Sequence, residues 1–238
     1  VADSDHVVAV YVHAPEEESP WSPGAASRWW LHHSLAALDA ALRRKGVALT
    51  LRRGPALSAL VALAREVGAG KVVWNRLYDP ATVARDTTVK TGLRDLGFEC
   101  ESYNANLLHE PWEIRTGQGG PYRVFTPFWR ACQMRLDAQP APLPAPRRLH
   151  GPSQPIASLA LDELDLLPTI PWDAAFSQHW SPGERGAHQR LEEFCGEWLG
   201  RYEEGRNRPD LPASSRLSPH LHFGEISPRQ CLVAVRNA

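Results

Sequence analysis

Read as a pattern of apolar and polar positions, the first hundred residues alternate short apolar runs with longer amphipathic stretches. Val7 to Val12 is apolar at nearly every position and rich in β-branched side chains, the pattern of a strand that needs cover on both faces. Between Pro23 and Arg44, Leu31, Leu35, Leu38 and Leu42 recur at steps of 4, 3 and 4, which predicts one apolar stripe on a helix with Ser22 as N-cap and Gly46 as its stop. The same reading predicts strands at 47–51, 71–75 and 98–103, and helices over 55–67 and 80–96, the latter capped by Asp79 and begun by Pro80. Strict alternation of strand and helix implies right-handed crossovers. The expected architecture is a doubly wound α/β layer with the four strands in one parallel sheet.

From Asn104 the alternation stops. Gly117, Gly119, Gly120 and Pro121 make a turn-rich loop, and Thr126-Pro127 opens a helix to about Asp137. Six prolines at 140, 142, 144, 146, 152 and 155 suit a connector better than a packed element. Beyond it, Ser181-Pro182-Gly183-Glu184 reads as a capping box with Pro at the first helical position, starting a helix to about Glu204 whose Leu191, Cys195, Trp198 and Tyr202 share a face. Ser227-Pro228-Arg229-Gln230 repeats that logic. The organisation expected is an α/β domain over 1–138, a connector over 139–180, and the beginning of an all-α domain over 181–238.

Composition describes an ordinary globular protein, with 43% hydrophobic and 22% charged residues. The formal charge of −1 gives no global basic field for nucleic acid, so any such contact has to be local. Only Lys45, Lys71 and Lys90 are lysines, so the cations are mostly arginines, which suit forked phosphate contacts. Cys100, Cys132, Cys195 and Cys231 are too widely spaced for a zinc site or a disulfide framework, and reduced thiols in a cytoplasmic protein are expected. No apolar run is long enough for a membrane helix.

The usual nucleotide motifs are missing. Gly68-Ala69-Gly70-Lys71 resembles the end of a phosphate-binding loop, but Arg65 stands where the upstream Gly belongs and Val72 where Ser or Thr would hold Mg²⁺. His220 and His222 have no third ligand nearby, so no metal is expected. The informative stretch is Ser214-Ser215-Arg216-Leu217-Ser218-Pro219. Its Ser218 can cap a helix, and hydroxyls beside a helix start can hold a phosphate or pyrophosphate; the same residues would also serve as plain helix caps.

Tyr202-x-x-x-Arg206-x-x-Pro209, Ser214-Ser-Arg-Leu-Ser218 and Pro219-x-Leu-x-x-Gly224-x-x-Ser227-Pro-Arg-Gln230 together resemble the start of the flavin-binding domain of the DNA photolyase and cryptochrome family. Three stretches of the first half resemble that family's α/β domain, most like bacterial class I photolyases: Trp21-Ser-Pro-Gly24 through Leu35, Trp74-Asn-Arg76-Leu-Tyr78-Asp-Pro80, and Tyr122-Arg-Val-Phe125-Thr-Pro-Phe128-Trp129. On this likeness the chain is expected to be an internal fragment, begun after the family's first strand and ending inside its helical domain.

The resemblance implies FAD as cofactor, contacted by Tyr202, Ser214, Ser215, Arg216, Leu217 and Ser218, chiefly on its diphosphate side, with Arg206 holding a phosphate of damaged DNA. It implies light-driven repair of cyclobutane pyrimidine dimers by a cytoplasmic monomer, or blue-light photoreception in a cryptochrome. A second, antenna chromophore is implied without an identity. Gly120 stands where some members carry a folate-contacting Glu, and it offers no carboxylate.

Overall fold

The computed structural model describes residues 6–18, 22–136 and 140–238. It contains two compact units, residues 1–103 with 145–187, and residues 104–144 with 188–238.

In the first unit the order is β1 (Ala9–His13), α1 (Ala25–Arg43), β2 (Leu49–Arg53), α2 (Ala56–Glu66), β3 (Lys71–Asn75), α3 (Pro80–Asp95) and β4 (Glu99–Tyr103). β1 and β2 start two residues later than their apolar runs because the first residues of those runs bond elsewhere. The Val7 N–H donates to the His150 carbonyl and the Val47 N–H to that of Leu42. Asp79 caps α3 as expected, its Oδ1 accepting the Thr82 N–H at 3.0 Å with Pro80 in the first turn. Ser22 does not cap α1. Gly24 is the N-cap, and the Pro23 carbonyl instead accepts from the Arg28 guanidinium at 3.2 Å.

The strands pair in parallel, Ala9 opposite Leu49 and Lys71 opposite Glu99. They form two ladders, β1–β2 and β3–β4, rather than the single sheet expected, and among the described residues no ladder joins them. The link between the pairs is α2, which packs on β1, β2 and α3 while its Leu57, Leu60 and Val61 enter the β3–β4 core beside Val89, Leu93 and Cys100. A helix can bridge strands that do not hydrogen-bond to one another, because apolar packing is non-directional.

The other core joins Leu35 of α1 to Leu49 and Leu51 of β2 and to Leu164 and Leu166. Leu38, assigned to the same stripe, is 39% exposed. The chain just past the prolines covers the outer edge of β2, with the Leu51 N–H donating to Ser158 Oγ at 2.9 Å and the Leu159 N–H to the Leu51 carbonyl at 3.1 Å.

In the second unit the described elements are helical: α4 (Phe125–Leu136), the later part of α6 (Glu184–Glu193), α7 (Tyr202–Gly205), α8 (Ser218–His222) and α9 (Pro228–Asn237). The one-turn α5 (Phe176–His179) belongs to the first unit. α6 starts at Glu184, not Pro182. Gly183 has φ +104°, outside the helical region, so its carbonyl is the first to accept a helical hydrogen bond, from the Ala187 N–H at 3.1 Å. The helix expected to run on to Glu204 breaks into a π turn at Phe194–Trp198 and a 3₁₀ turn at Leu199–Arg201 before α7. At α9 the expected box is present, Ser227 Oγ accepting the Gln230 N–H at 3.2 Å and Gln230 Oε1 accepting the Ser227 N–H at 2.8 Å.

Candidate functional site

Between α7 and α8 the loop alternates inward and outward residues. Ala213 and Leu217 are buried, at 1% and 5% exposure, whereas Ser214 and Arg216 face outward and Ser215 is half-buried. Ala213 can settle there because Gly205 lacks a side chain: a Cβ on Gly205 would lie 2.4 Å from that of Ala213. Two apolar anchors thus fix the loop on either side of Ser214, Ser215 and Arg216.

Opposite this loop runs the π turn. The two enclose a cavity of about 250 Å³ lined by Arg190, Glu193, Phe194, Glu197 and Trp198 on one side and by Pro212, Ser214, Ser215 and Arg216 on the other. Pockets that take a whole drug-sized ligand measure roughly 300–1,000 Å³, so this one is smaller than a site for a whole ligand. An extra residue in a helical turn re-aims the side chains around it, and π bulges gather at functional sites. Sequence periodicity gives no sign of this one, because Leu191, Cys195, Trp198 and Tyr202 read equally well as one unbroken face.

The charge at the cavity is mixed. Arg190 Nη1 lies 3.2 Å from Glu193 Oε2, which partly neutralises both groups. Arg216 is different, for it has no hydrogen bond or ion pair among the described residues and adopts φ +50°. A left-handed backbone at a residue with a Cβ costs about 1–2 kcal/mol, and such strain concentrates where a side chain has to point in one direction. The hydroxyls of Ser214 and Ser215 likewise lack a protein partner among the described residues. A guanidinium and two free hydroxyls on one rim form an anion-binding donor set.

The other residues singled out from the sequence lie around this cavity rather than on it. Tyr202 is 39% exposed and meets the Phe194 ring edge-on at 5.7 Å. Leu217 has its side chain in the core. Ser218 is the first residue of α8, and Leu217 occupies the N-cap position without a side-chain cap, so the capping role expected of Ser218 is not realised. Arg206 is exposed and stacks over the Tyr202 ring. His220 is bound to Glu225, and His222 lies against the Phe223 ring at 4.7 Å. Among the described residues no group of three His, Cys, Asp or Glu side chains could hold a metal, and no helix is long and apolar enough to cross a membrane.

A family model described as DNA photolyase matches residues 1–147. The chain belongs to the DNA photolyase family. It is 48% identical over 223 residues to the deoxyribodipyrimidine photo-lyase of Agrobacterium fabrum, covering 93% of this chain and 46% of that relative. The same photolyase-family chain is 38% identical over 241 residues to cryptochrome-2 of Arabidopsis thaliana, covering 99% of this chain and 39% of the relative. A crystal structure of a bacterial class III photolyase from Agrobacterium tumefaciens is 45% identical, with a TM-score of 0.91 over 97% of this chain and 47% of that one. The chain therefore spans about half the length of the relatives it matches. Its α/β first unit is the fold of the photolyase family, and Arg190, Phe194 and Trp198 join the photolyase-family motif residues at the cavity although no motif identified them.

Proposed function

We propose that the intact polypeptide is a photolyase that binds FAD and repairs cyclobutane pyrimidine dimers in DNA with light. The observation that carries this reading is the rim of Ser214, Ser215 and Arg216 on a cavity of about 250 Å³, in a chain 48% identical to a deoxyribodipyrimidine photo-lyase. When bound, FAD supplies the light-driven electron donation that splits the dimer. The chain's own residues bind and orient. Arg216 and the two serine hydroxyls hold the diphosphate oxygens, the aromatic edges of Phe194 and Trp198 keep water from that part of the site, and Tyr202 flanks it.

Arg206, exposed on the same segment, contributes a phosphate contact to DNA. Photolyases are among the enzymes that extrude the damaged nucleotide from the duplex. The likeness to a class III photolyase favours that class over the class I suggested by the motifs. Under this reading the protein works as a cytoplasmic monomer.

The second reading, a cryptochrome photoreceptor without repair activity, rests on the 38% identity to cryptochrome-2 across nearly the whole chain. Illumination of the intact protein with ultraviolet-damaged duplex separates the two. Loss of cyclobutane dimers in blue light and not in darkness supports the photolyase. Bound flavin with undiminished lesions supports the cryptochrome, and absence of flavin overturns both. The 238-residue chain by itself is expected to lose FAD on gel filtration, because a diphosphate cradle alone does not offset the lost translational and rotational freedom of so large a ligand.

A further inference from the structure

The helix α4 carries one apolar stripe, Phe125, Phe128, Trp129, Cys132 and Leu136, at the spacing that gathers residues on a single helical face. Such a stripe ordinarily faces a core. Here only Cys132 is buried, at 4% exposure, while Phe125 is 72% exposed, Phe128 38% and Trp129 41%. The rings stand together: Phe125 and Trp129 are parallel with centroids 6.4 Å apart, and Phe128 meets Tyr122 at 6.4 Å. Contiguous aromatic surface of this kind marks an interaction site more often than it marks plain surface. Met134, about two and a half turns from Phe125 and so on the opposite face, is 79% exposed.

We propose that this stripe is an intramolecular docking face, covered in the intact polypeptide by an apolar patch from outside residues 1–238. The match to the Agrobacterium fabrum relative takes in 46% of that protein, so more than half of the relative lies outside it. Area favours a tethered partner over a second copy. A buried aromatic side chain removes about 150–250 Å² from water, so at these exposures the three rings have roughly 300 Å² left to bury. Two copies paired through the stripe would bury roughly twice that, short of the ~1,000 Å² that a specific interface between separate molecules needs. Within one chain no translational freedom is lost on docking, and totals of roughly 600–1,500 Å² are usual between domains.

Charge argues against a nucleic acid on the same face. A platform for single strands combines stacking rings with cations on one surface. Arg130 directly follows Trp129 and is carried round toward the Met134 face, so only Arg135 flanks the stripe.

The test is hydroxyl-radical footprinting of the unsubstituted intact protein and of the 238-residue chain, read by mass spectrometry, with each rate divided by that of the same residue in a synthetic peptide of residues 121–137. Phe125, Phe128 and Trp129 are expected to be oxidised about tenfold or more slowly in the intact protein than in the chain, the protection that burial of one such ring sets. Met134 is expected to react alike in both. Phe125→Ser is expected to lower the denaturant midpoint of the intact protein and to leave that of the chain unchanged, since only in the former does the ring lose a buried place.

Aromatic rings oxidised as fast in the intact protein as in the chain overturn the inference. Protection of Met134 equal to that of the stripe does so too, because the cover would then not be directed at one face. Protection within the 238-residue chain that grows with protein concentration assigns the face to a second copy, and protection of the intact protein only after DNA is added assigns it to nucleic acid; either result overturns the intramolecular reading. An unchanged midpoint for Phe125→Ser in the intact protein does the same, and where that variant does not fold the footprint of the unsubstituted protein decides.

Discussion

The guanidinium of Arg206 lies 5.6 Å from the centroid of the Tyr202 ring, one turn away along the same segment, and its backbone N–H donates to the Tyr202 carbonyl at 2.9 Å. Among the described residues it makes no ion pair, although Glu203 and Glu204 are its sequence neighbours. The cation–π contact directs the side chain without neutralising it, so the charge stays on display.

That geometry separates two roles for Arg206. In the intact protein Arg206→Ala should leave flavin content unchanged while weakening binding to damaged duplex and flattening its salt dependence by about one unit of slope, as loss of a single phosphate contact requires. Titrations at several salt concentrations measure this directly. An unchanged slope would leave Arg206 with only its contact to Tyr202, worth roughly 0.5–1 kcal/mol at an exposed site.

Arg216 offers a comparison in which strain and charge can be told apart. Relief of its left-handed backbone by Arg216→Gly gains about 1–2 kcal/mol, against about 0.5–1 kcal/mol for the greater chain entropy of glycine when unfolded. The folded chain should therefore be as stable as the parent or slightly more so. Arg216→Ala keeps the strain and loses the same charge, so it should unfold at lower denaturant than the glycine variant. Both should bind pyrophosphate about tenfold more weakly than the parent, the effect of losing one charged hydrogen bond. Equal stability of the two variants would mean that the backbone at 216 is not strained.

Much of the first unit was legible because its signals are local. The β3 range 71–75 and the cap Asp79 depend on residues that are neighbours in sequence, and they appear where periodicity and turn chemistry put them. Continuity of the sheet was not legible, since whether β1 or β2 meets β3 depends on what α2 spans and on no pattern within a strand. Leu164 and Leu166 complete a core with Leu49 and Leu51, although the prolines before them suggested only a connector. At the candidate site the motif led to Ser214, Ser215 and Arg216. It could not indicate the π turn that brings Phe194 and Trp198 opposite them, because a bulge shifts the register of a helix without altering which residues are apolar.

Acid should weaken the first unit in two stages. Burial lowers the His13 imidazole, helped by the Arg53 charge and opposed by Glu16 and Asp165. Burial also lowers His32 and His33, which face each other at 5.2 Å. Because these rings hold a proton less readily when folded, the unfolded chain takes up more protons below about pH 6.5, and the stability they contribute is full above that value and lost as pH falls through it. Asp39 and Asp79 act lower down. Burial pushes each carboxyl up, but hydrogen bonds outweigh it, from Arg43 and the Leu49 N–H at Asp39 and from Thr82 at Asp79, so both end below the ordinary range. Their contribution is present above about pH 4 and lost below it. Denaturant midpoints should fall as pH is lowered from 7.5 to 3, and replacing His13, His32 and His33 with Gln should flatten the upper stage of that fall while leaving the lower, carboxylate stage in place.

The three serines of the motif should not be equivalent in the intact protein. Ser214 and Ser215 line the cavity with hydroxyls that have no protein partner among the described residues, whereas Ser218 is the first residue of a five-residue helix and lies off the cavity. A hydroxyl that bonds a diphosphate oxygen contributes about 1 kcal/mol, so Ser214→Ala and Ser215→Ala should each weaken FAD retention about fivefold. Ser218→Ala removes no cap, because the N-cap position belongs to Leu217, and should change retention less than about twofold. Equilibrium dialysis of the three variants, with and without damaged duplex, ranks them. If Ser218→Ala proves the most harmful, the diphosphate lies over the start of α8 rather than in the cavity beside the π turn, and the side chains of Arg190, Phe194 and Trp198 lose their proposed part in holding it.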